Sequence, residues 1–280
     1  MRKMTKLLLA LAIPATMLAG QFANAALISD WKYENVAAFT AFAGVGTITG
    51  SNPNTAAFTI GGAPANPVAG SPTTLSWGVA QTASGQSRLR IQDQKTTGVE
   101  TVNDGVFVPD LTLLHDNFVI NLGTTLRTAT LTASLLLEAM TPPTGDVFGP
   151  LTGTFNIKFV ETDNALNPCP GGGANPCADI FVLDAAASSP LSVQLGTVQD
   201  YTYFLDVGLP SLQLLPDAAC SAAGAANGCV GFITEENTTN RFPVVFQMRA
   251  VQNTVPEPGM LALLGLGLAG IGFGQIRRRK

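Results

Sequence analysis

Arg127-Thr128-Ala129-Thr130-Leu131-Thr132-Ala133-Ser134-Leu135-Leu136-Leu137-Glu138 is the stretch whose reading decides the fold class. Thr128, Thr130, Thr132 and Ser134 fall on one side of an alternation, and Ala129, Leu131, Ala133 and Leu135 on the other. Successive side chains of an extended chain leave on opposite faces, so a period of two predicts a strand. A helix through Leu135-Leu136-Leu137-Glu138-Ala139 is the rival reading. Thr141-Pro142-Pro143 cuts it short, because proline lacks the amide donor and clashes with the preceding turn.

Working outward, Thr152 to Glu161 repeats the pattern, with Phe155, Ile157 and Phe159 opposite Thr154, Asn156 and Lys158. Upstream, Ala56 to Ile60, Leu75 to Val79, Ser87 to Ile91 and Phe118 to Leu122 read as short strands between Gly/Pro-rich turns. Phe39, Phe42, Val45 and Ile48 are the expected core positions between Trp31 and Thr49. Downstream come Ile180 to Leu183, Leu191 to Leu195, Tyr201 to Leu205 and Arg241 to Val251. Pro243 cannot donate to a ladder, which suits an edge or the start of a strand. Some ten short strands with glycine and proline turns predict an all-β, antiparallel sandwich, jelly-roll-like or barrel-like.

The two ends are not part of that domain. Residues 1–25 have Arg2, Lys3 and Lys6, an apolar run from Leu7 to Leu18, and Ala23-Asn24-Ala25, the layout of a cleavable signal peptide. Residues 253–280 have a motif, Val255-Pro256-Glu257-Pro258, then an apolar run from Gly259 to Ile276, then Arg277, Arg278, Arg279 and Lys280. The run is about 18 residues, the lower end of what spans a hydrocarbon core as a helix, and the basic end would stay cytoplasmic. Gly265, Gly267, Gly270, Gly272 and Gly274 make it a marginal permanent anchor. The three parts together resemble the PEP-CTERM signal, the sorting tail of bacterial exosortase substrates. The resemblance implies a membrane-anchored precursor, exosortase as processing partner, and a final place at the cell surface or outside the cell. The exported β-sandwich domain is then residues 26–252.

Of the 15 Lys+Arg, three lie in the signal peptide and four at the basic end, leaving eight against 18 of the 19 Asp+Glu; that domain carries about −10. So few and scattered basic residues argue against nucleic acid and against docking on anionic lipid. Cys169 and Cys177 bracket one Gly/Pro-rich loop, Cys220 and Cys229 another. Four cysteines allow three connectivities; local pairing is the economical one, since each bond staples a loop. Structural zinc uses closer spacing than the seven and eight intervening residues here.

The catalytic inventory is thin, and no catalytic residue, metal site or cofactor is assigned. The single histidine, His115, lies in Leu114-His115-Asp116-Asn117, read as a polar loop where it hydrogen-bonds a turn. No G-x-S-x-G elbow, phosphate loop or EF-hand loop is present. Glu161/Asp163 and Glu235/Glu236 are the candidate paired carboxylates, with surface or loop-capping roles as the simpler reading. Several stretches resemble the THxN family of PEP-CTERM proteins: Ser76-Trp77-Gly78 with Ser84-Gly85-Gln86-Ser87, Leu114-His115-Asp116-Asn117, Phe159-Val160-Glu161-Thr162, Asp179-Ile180-Phe181-Val182 and Gly231-Phe232-Ile233-Thr234-Glu235-Glu236-Asn237. His115 and Asn117 match the motif that names the family, whereas Leu114 stands where it has threonine. The expectation is a non-enzymatic exported protein, with extracellular polysaccharide as the partner such sorting systems imply. A secreted hydrolase or a purely structural matrix protein are the alternatives. Trp31, Trp77, Tyr201 and Tyr203 could stack on sugars if exposed; core packing is the competing use.

Overall fold

In the computed structural model, residues 26–172, 175–183, 191–253 and 265–266 are described. The expected signal peptide lies outside them, as do the sorting motif and all but residues 265–266 of the apolar run expected as a transmembrane helix. No helix among the described residues is long and apolar enough to cross a membrane.

The strands are β1 (Asp30–Val45), β2 (Thr49–Pro53), β3 (Pro72–Trp77), β4 (Val79–Ala80), β5 (Ser87–Ile91), β6 (Lys95–Thr101), β7 (Val108–Asn117) and β8 (Ile120–Asn121). They continue as β9 (Thr125–Thr141), β10 (Val147–Val160), β11 (Asp179–Leu183), β12 (Leu191–Val198), β13 (Tyr201–Gly208), β14 (Gln213–Leu214), β15 (Val230–Thr234) and β16 (Thr238–Gln252), with a short helix, α1 (Asp217–Ala222), between β14 and β15. Two seven-stranded sheets form, ordered β14-β15-β11-β10-β9-β1-β6 and β12-β13-β16-β7-β5-β3-β2, with β4 and β8 as a separate ribbon. The pairings are antiparallel.

The alternation from Arg127 to Glu138 lies in β9, the long strand between β1 and β10. Its Ala129, Leu131 and Leu135 join the core between the sheets, as the period of two requires. One part of that core holds Phe39, Leu75, Trp77, Leu113, Phe159 and Phe181; the other holds Trp31, Tyr33, Leu137, Tyr203 and Phe246. Thr132 and Ser134 are buried too, because residues 54–71 lie over the outside of the sheet. Val68, Ala56 and Phe58 pack there on Val36 and Ala38. Asn54 fastens this cover through its Nδ2, donating to the carbonyl oxygens of Ala37 at 2.8 Å and Gln94 at 2.9 Å.

Several expectations need correction. Ala56 to Ile60 is not a strand: its polar atoms are claimed by side chains, with the Thr59 N–H donating to Glu34 Oε2 at 2.6 Å. Phe118 to Leu122 keeps only the two-residue β8. Phe39 is buried, but Phe42 and Val45 are exposed where β1 runs past the core. Pro243 is not at a strand start, and β16 as a whole lies between β13 and β7. The pairing with β13 begins only at Val245, however, and the register to β7 shifts between Pro243 and Val245. At Pro243 the strand has one neighbour and a bulge, the local setting a proline tolerates.

Candidate functional site

One end of the sandwich collects the chemistry. Trp77 closes β3, and His115 and Asn117 close β7. Val160 pairs with Ile180 where β10 meets β11, so Glu161, one step on, arrives opposite Asp179. Asp179 pairs with Thr234 at the end of β15, and Thr238 at the start of β16 pairs with Asn117. The turn between them carries Glu236 and crosses from one sheet to the other. Asn237 takes it at φ 60°. Asn240 pins it, accepting from the Glu235 N–H at 3.0 Å and donating to the Glu235 carbonyl oxygen at 2.9 Å.

Carboxylate oxygens of Glu161, Asp179 and Glu236 therefore lie within 4.8 Å of one another. Asp179 is 0% exposed and Glu161 8%, while Glu236 is half-buried. The indole Nε1–H of Trp77 donates to Glu161 Oε2 at 2.7 Å, and the Thr162 N–H donates to Asp179 Oδ1 at 2.8 Å. His115, fully buried, stacks on Trp77 with centroids 5.7 Å apart and meets Phe159 and Phe181 edge-on. Its Nε2 is 3.9 Å from Asp179 Oδ2, beyond hydrogen-bond reach. Asn117 donates through Nδ2 to the Thr234 carbonyl oxygen at 3.1 Å.

Several acceptors here have no partner: Asp179 Oδ2, both oxygens of Glu236, Asn117 Oδ1, Thr162 Oγ1 and Asn164 Oδ1, together with both ring nitrogens of His115. Buried polar atoms in folded proteins are overwhelmingly paired, so such a concentration calls for a cause. Burial pushes the Glu161 carboxyl up to about 8, opposed by the Trp77 hydrogen bond and reinforced by the charge of Glu236. Burial and then the charge of Glu161 raise Asp179 well above the usual carboxylate range, and burial raises Glu236. Burial pushes the His115 imidazole down to about 3, so it stays neutral. The charges acting on these carboxyls are those of one another.

His115 is thus not in a polar loop. Leu111, Leu113, His115 and Asn117 sit at every second position of β7, and Leu111 and Leu113 belong to the core. The same period extends to the histidine; two polar neighbours, Asp116 and Asn117, obscured it. Asp116 faces away, bound by Arg90 Nε at 2.8 Å, Arg88 at 3.0 Å and the Thr239 hydroxyl at 2.7 Å. The candidate carboxylate pairs are divided: Asp163 and Glu235 are exposed, while Glu161 and Glu236 turn inward and meet with Asp179. Trp31, Trp77 and Tyr203 are 0% exposed and cannot stack on a sugar; Tyr201 packs beside the core. The cysteines pair locally, Cys169 with Cys177 and Cys220 with Cys229. Away from the cluster, an apolar cavity of about 140 Å³ opens between the sheets, lined by Leu131, Leu135, Phe155, Leu205 and Phe246.

The domain shows how its end is built; the tail shows where the protein is sent. Residues 254–279 match the PEP-CTERM protein-sorting motif. The PEP-CTERM match implies export and sorting by exosortase. It covers the tail alone and says nothing of the core. No curated protein matches the chain. The stretches around Trp77, His115, Glu161, Asp179 and Glu236 all supply residues to this end of the sandwich. Ser87 Oγ donates to the Phe118 carbonyl oxygen at 2.9 Å, and Gln86 Nε2 to that of Gly78 at 2.7 Å, fixing the loops beside Trp77.

Proposed function

We propose that this protein is a non-enzymatic surface or extracellular-matrix component, held in the inner membrane by its tail until exosortase processes it. The observation that carries the reading is the sorting-motif match at residues 254–279, C-terminal to a two-sheet domain stapled by two disulfides. Disulfides persist in oxidising compartments, which agrees with export. The non-enzymatic reading is supported by burial. Glycoside hydrolysis uses two carboxylates flanking a bond at roughly 5–10 Å, reached by substrate from solvent. Here the three carboxylates lie within 4.8 Å of one another and two of them are sealed between the sheets, out of reach of a polymer. Extracellular polysaccharide as a partner rests on the sorting route, with no aromatic platform offered by Trp31, Trp77 or Tyr203.

Replacing Pro256, Glu257 and Pro258 with alanine tests the route by cell fractionation. The variant stays in the inner membrane with its tail attached, while the parent protein is processed. Normal processing of the variant would defeat the reading.

A further inference from the structure

We propose that Glu161, Asp179 and Glu236 hold one Ca²⁺ ion, with Asn117 completing the oxygen set and His115 positioning Asp179. This goes beyond the sorting reading and does not depend on it.

Three observations carry it. First, three carboxylate oxygens from three separate chain segments converge within 4.8 Å. Like charges brought together inside a protein repel unless they take up protons or a cation lies among them, and no lysine or arginine of the described residues forms an ion pair with them. Second, the place is rich in oxygens that accept nothing. Asp179 Oδ2 and Asn117 Oδ1 belong to fully buried residues, and the side chains of Asn164 and Asn117 with the Asn237 backbone lie close enough to Glu236 to oppose the effect of its burial. Third, the fully buried His115 aims an unpartnered Nε2 at Asp179 Oδ2 from 3.9 Å. A nitrogen just outside hydrogen-bond range of a ligand oxygen is placed to orient that ligand, as residues behind metal-binding carboxylates do.

Size and donor type select the ion. Ca²⁺ takes 6–8 oxygens at roughly 2.3–2.6 Å, so oxygens on opposite sides of it lie about 4.6–5.2 Å apart. Three oxygens all within 4.8 Å of one another can be reached by one such ion. Mg²⁺ demands near-ideal octahedral geometry and keeps several waters, and structural Zn²⁺ favours sulfur and nitrogen donors. Glu161, Asp179, Glu236, Asn117, Thr162 and Asn164 offer oxygens and no sulfur. The ion enters from the side of Glu236, which is half-buried where the other two carboxylates are sealed. Once there it ties β10, β11 and the β15–β16 turn together, and so joins the two sheets.

The test uses the exported protein, stripped with EDTA and dialysed, then titrated with CaCl₂, MgCl₂, MnCl₂ and ZnCl₂ by calorimetry and followed by thermal unfolding. The expected result is one Ca²⁺ per chain, with a dissociation constant of roughly 0.1–1 mM or tighter, and a raised unfolding temperature. Glu236→Gln lies on a turn and keeps the fold by circular dichroism, yet weakens Ca²⁺ at least tenfold. Asp179→Asn weakens it further, and Asp163→Asn, on the exposed neighbour, leaves it unchanged. In a Trp31→Phe background, Ca²⁺ also shifts the emission of Trp77, whose indole N–H holds Glu161. Absence of Ca²⁺ binding at millimolar concentration would overturn the proposal, as would binding that survives Glu236→Gln. Preference for Mn²⁺ or Zn²⁺ that is lost in His115→Gln would overturn the all-oxygen assignment.

Discussion

Trp77 illustrates how much a single side chain at this end must do. Its ring stacks on His115 and meets Phe159 edge-on, while its only polar atom secures Glu161. Glu100 shows the opposite, a buried carboxylate held only weakly, by the Met248 backbone. It is 1% exposed on β6 beside Trp31 of β1, and neither oxygen has a side-chain partner. Burial, with a smaller push from Asp104, raises it to about 7 from an ordinary 4.5. The folded protein then binds a proton that the unfolded chain releases, so stability is highest below the unfolded value and falls as pH rises from 4.5 to 7. A shift of that size corresponds to about 3 kcal/mol. Glu100→Gln is expected to flatten this slope and to be more stable than the parent at pH 7 by about 1–3 kcal/mol, measured by denaturant unfolding across pH.

At the scale of the element, β3 ends as it does because Gly78 follows Trp77. Gly78 sits at φ +82°, and a Cβ there would lie 2.3 Å from Ile120 Cδ1 of the β8 ribbon. The close approach lets β4 pair with β8 across the mouth of the sandwich, with Val79 opposite Asn121 and Ala80 opposite Ile120. Gly78→Ala therefore strains the backbone and collides with a packed side chain. It is expected to cost about 2–4 kcal/mol in unfolding free energy, read by denaturant titration. β7 is the element that the sequence concealed. Its apolar period was there in Leu111 and Leu113, but Pro109, Asp110, Asp116 and Asn117 gave it the composition of a loop. Asp110 tolerates the interior because Asn35 and Thr96 donate to it.

For the whole molecule, two local disulfides fasten segments of the β14-β15-β11 side of one sheet. Cys220–Cys229 joins α1 to the approach of β15, and buried Cys220 packs with Ile180, Val182 and Leu215. Cys169–Cys177 closes the connection from β10 to β11, the strands that deliver Glu161 and Asp179. The sequence separations are 8 and 9, so each closure removes a modest amount of unfolded-state entropy, about 2–3 kcal/mol. Full reduction is expected to lower stability by that amount per bond. Cys169→Ser with Cys177→Ser should lose less fold than Cys220→Ser with Cys229→Ser, whose sulfurs sit in a packed cluster; thermal unfolding with and without reductant checks this.

The sequence alone established the strand class and the sorting tail, and made local disulfide pairing the economical choice among three, which the structure then selected. Each depends on residues close together in the chain: the period of two in Arg127 to Glu138, two cysteine-bracketed loops, and the ordered parts of residues 253–280. Such signals are local, and local geometry fixes them. Only the tertiary structure decided which carboxylates meet. Glu161 stands two residues from Asp163, and Glu236 beside Glu235, in the chain, yet all four lie just past strand ends, where no alternation tells which side chain turns inward. Glu161, Asp179 and Glu236 come together through strand register across two sheets, and register is set by which faces are buried. The placement of His115 between Trp77, Phe159 and Phe181 follows from the same cause.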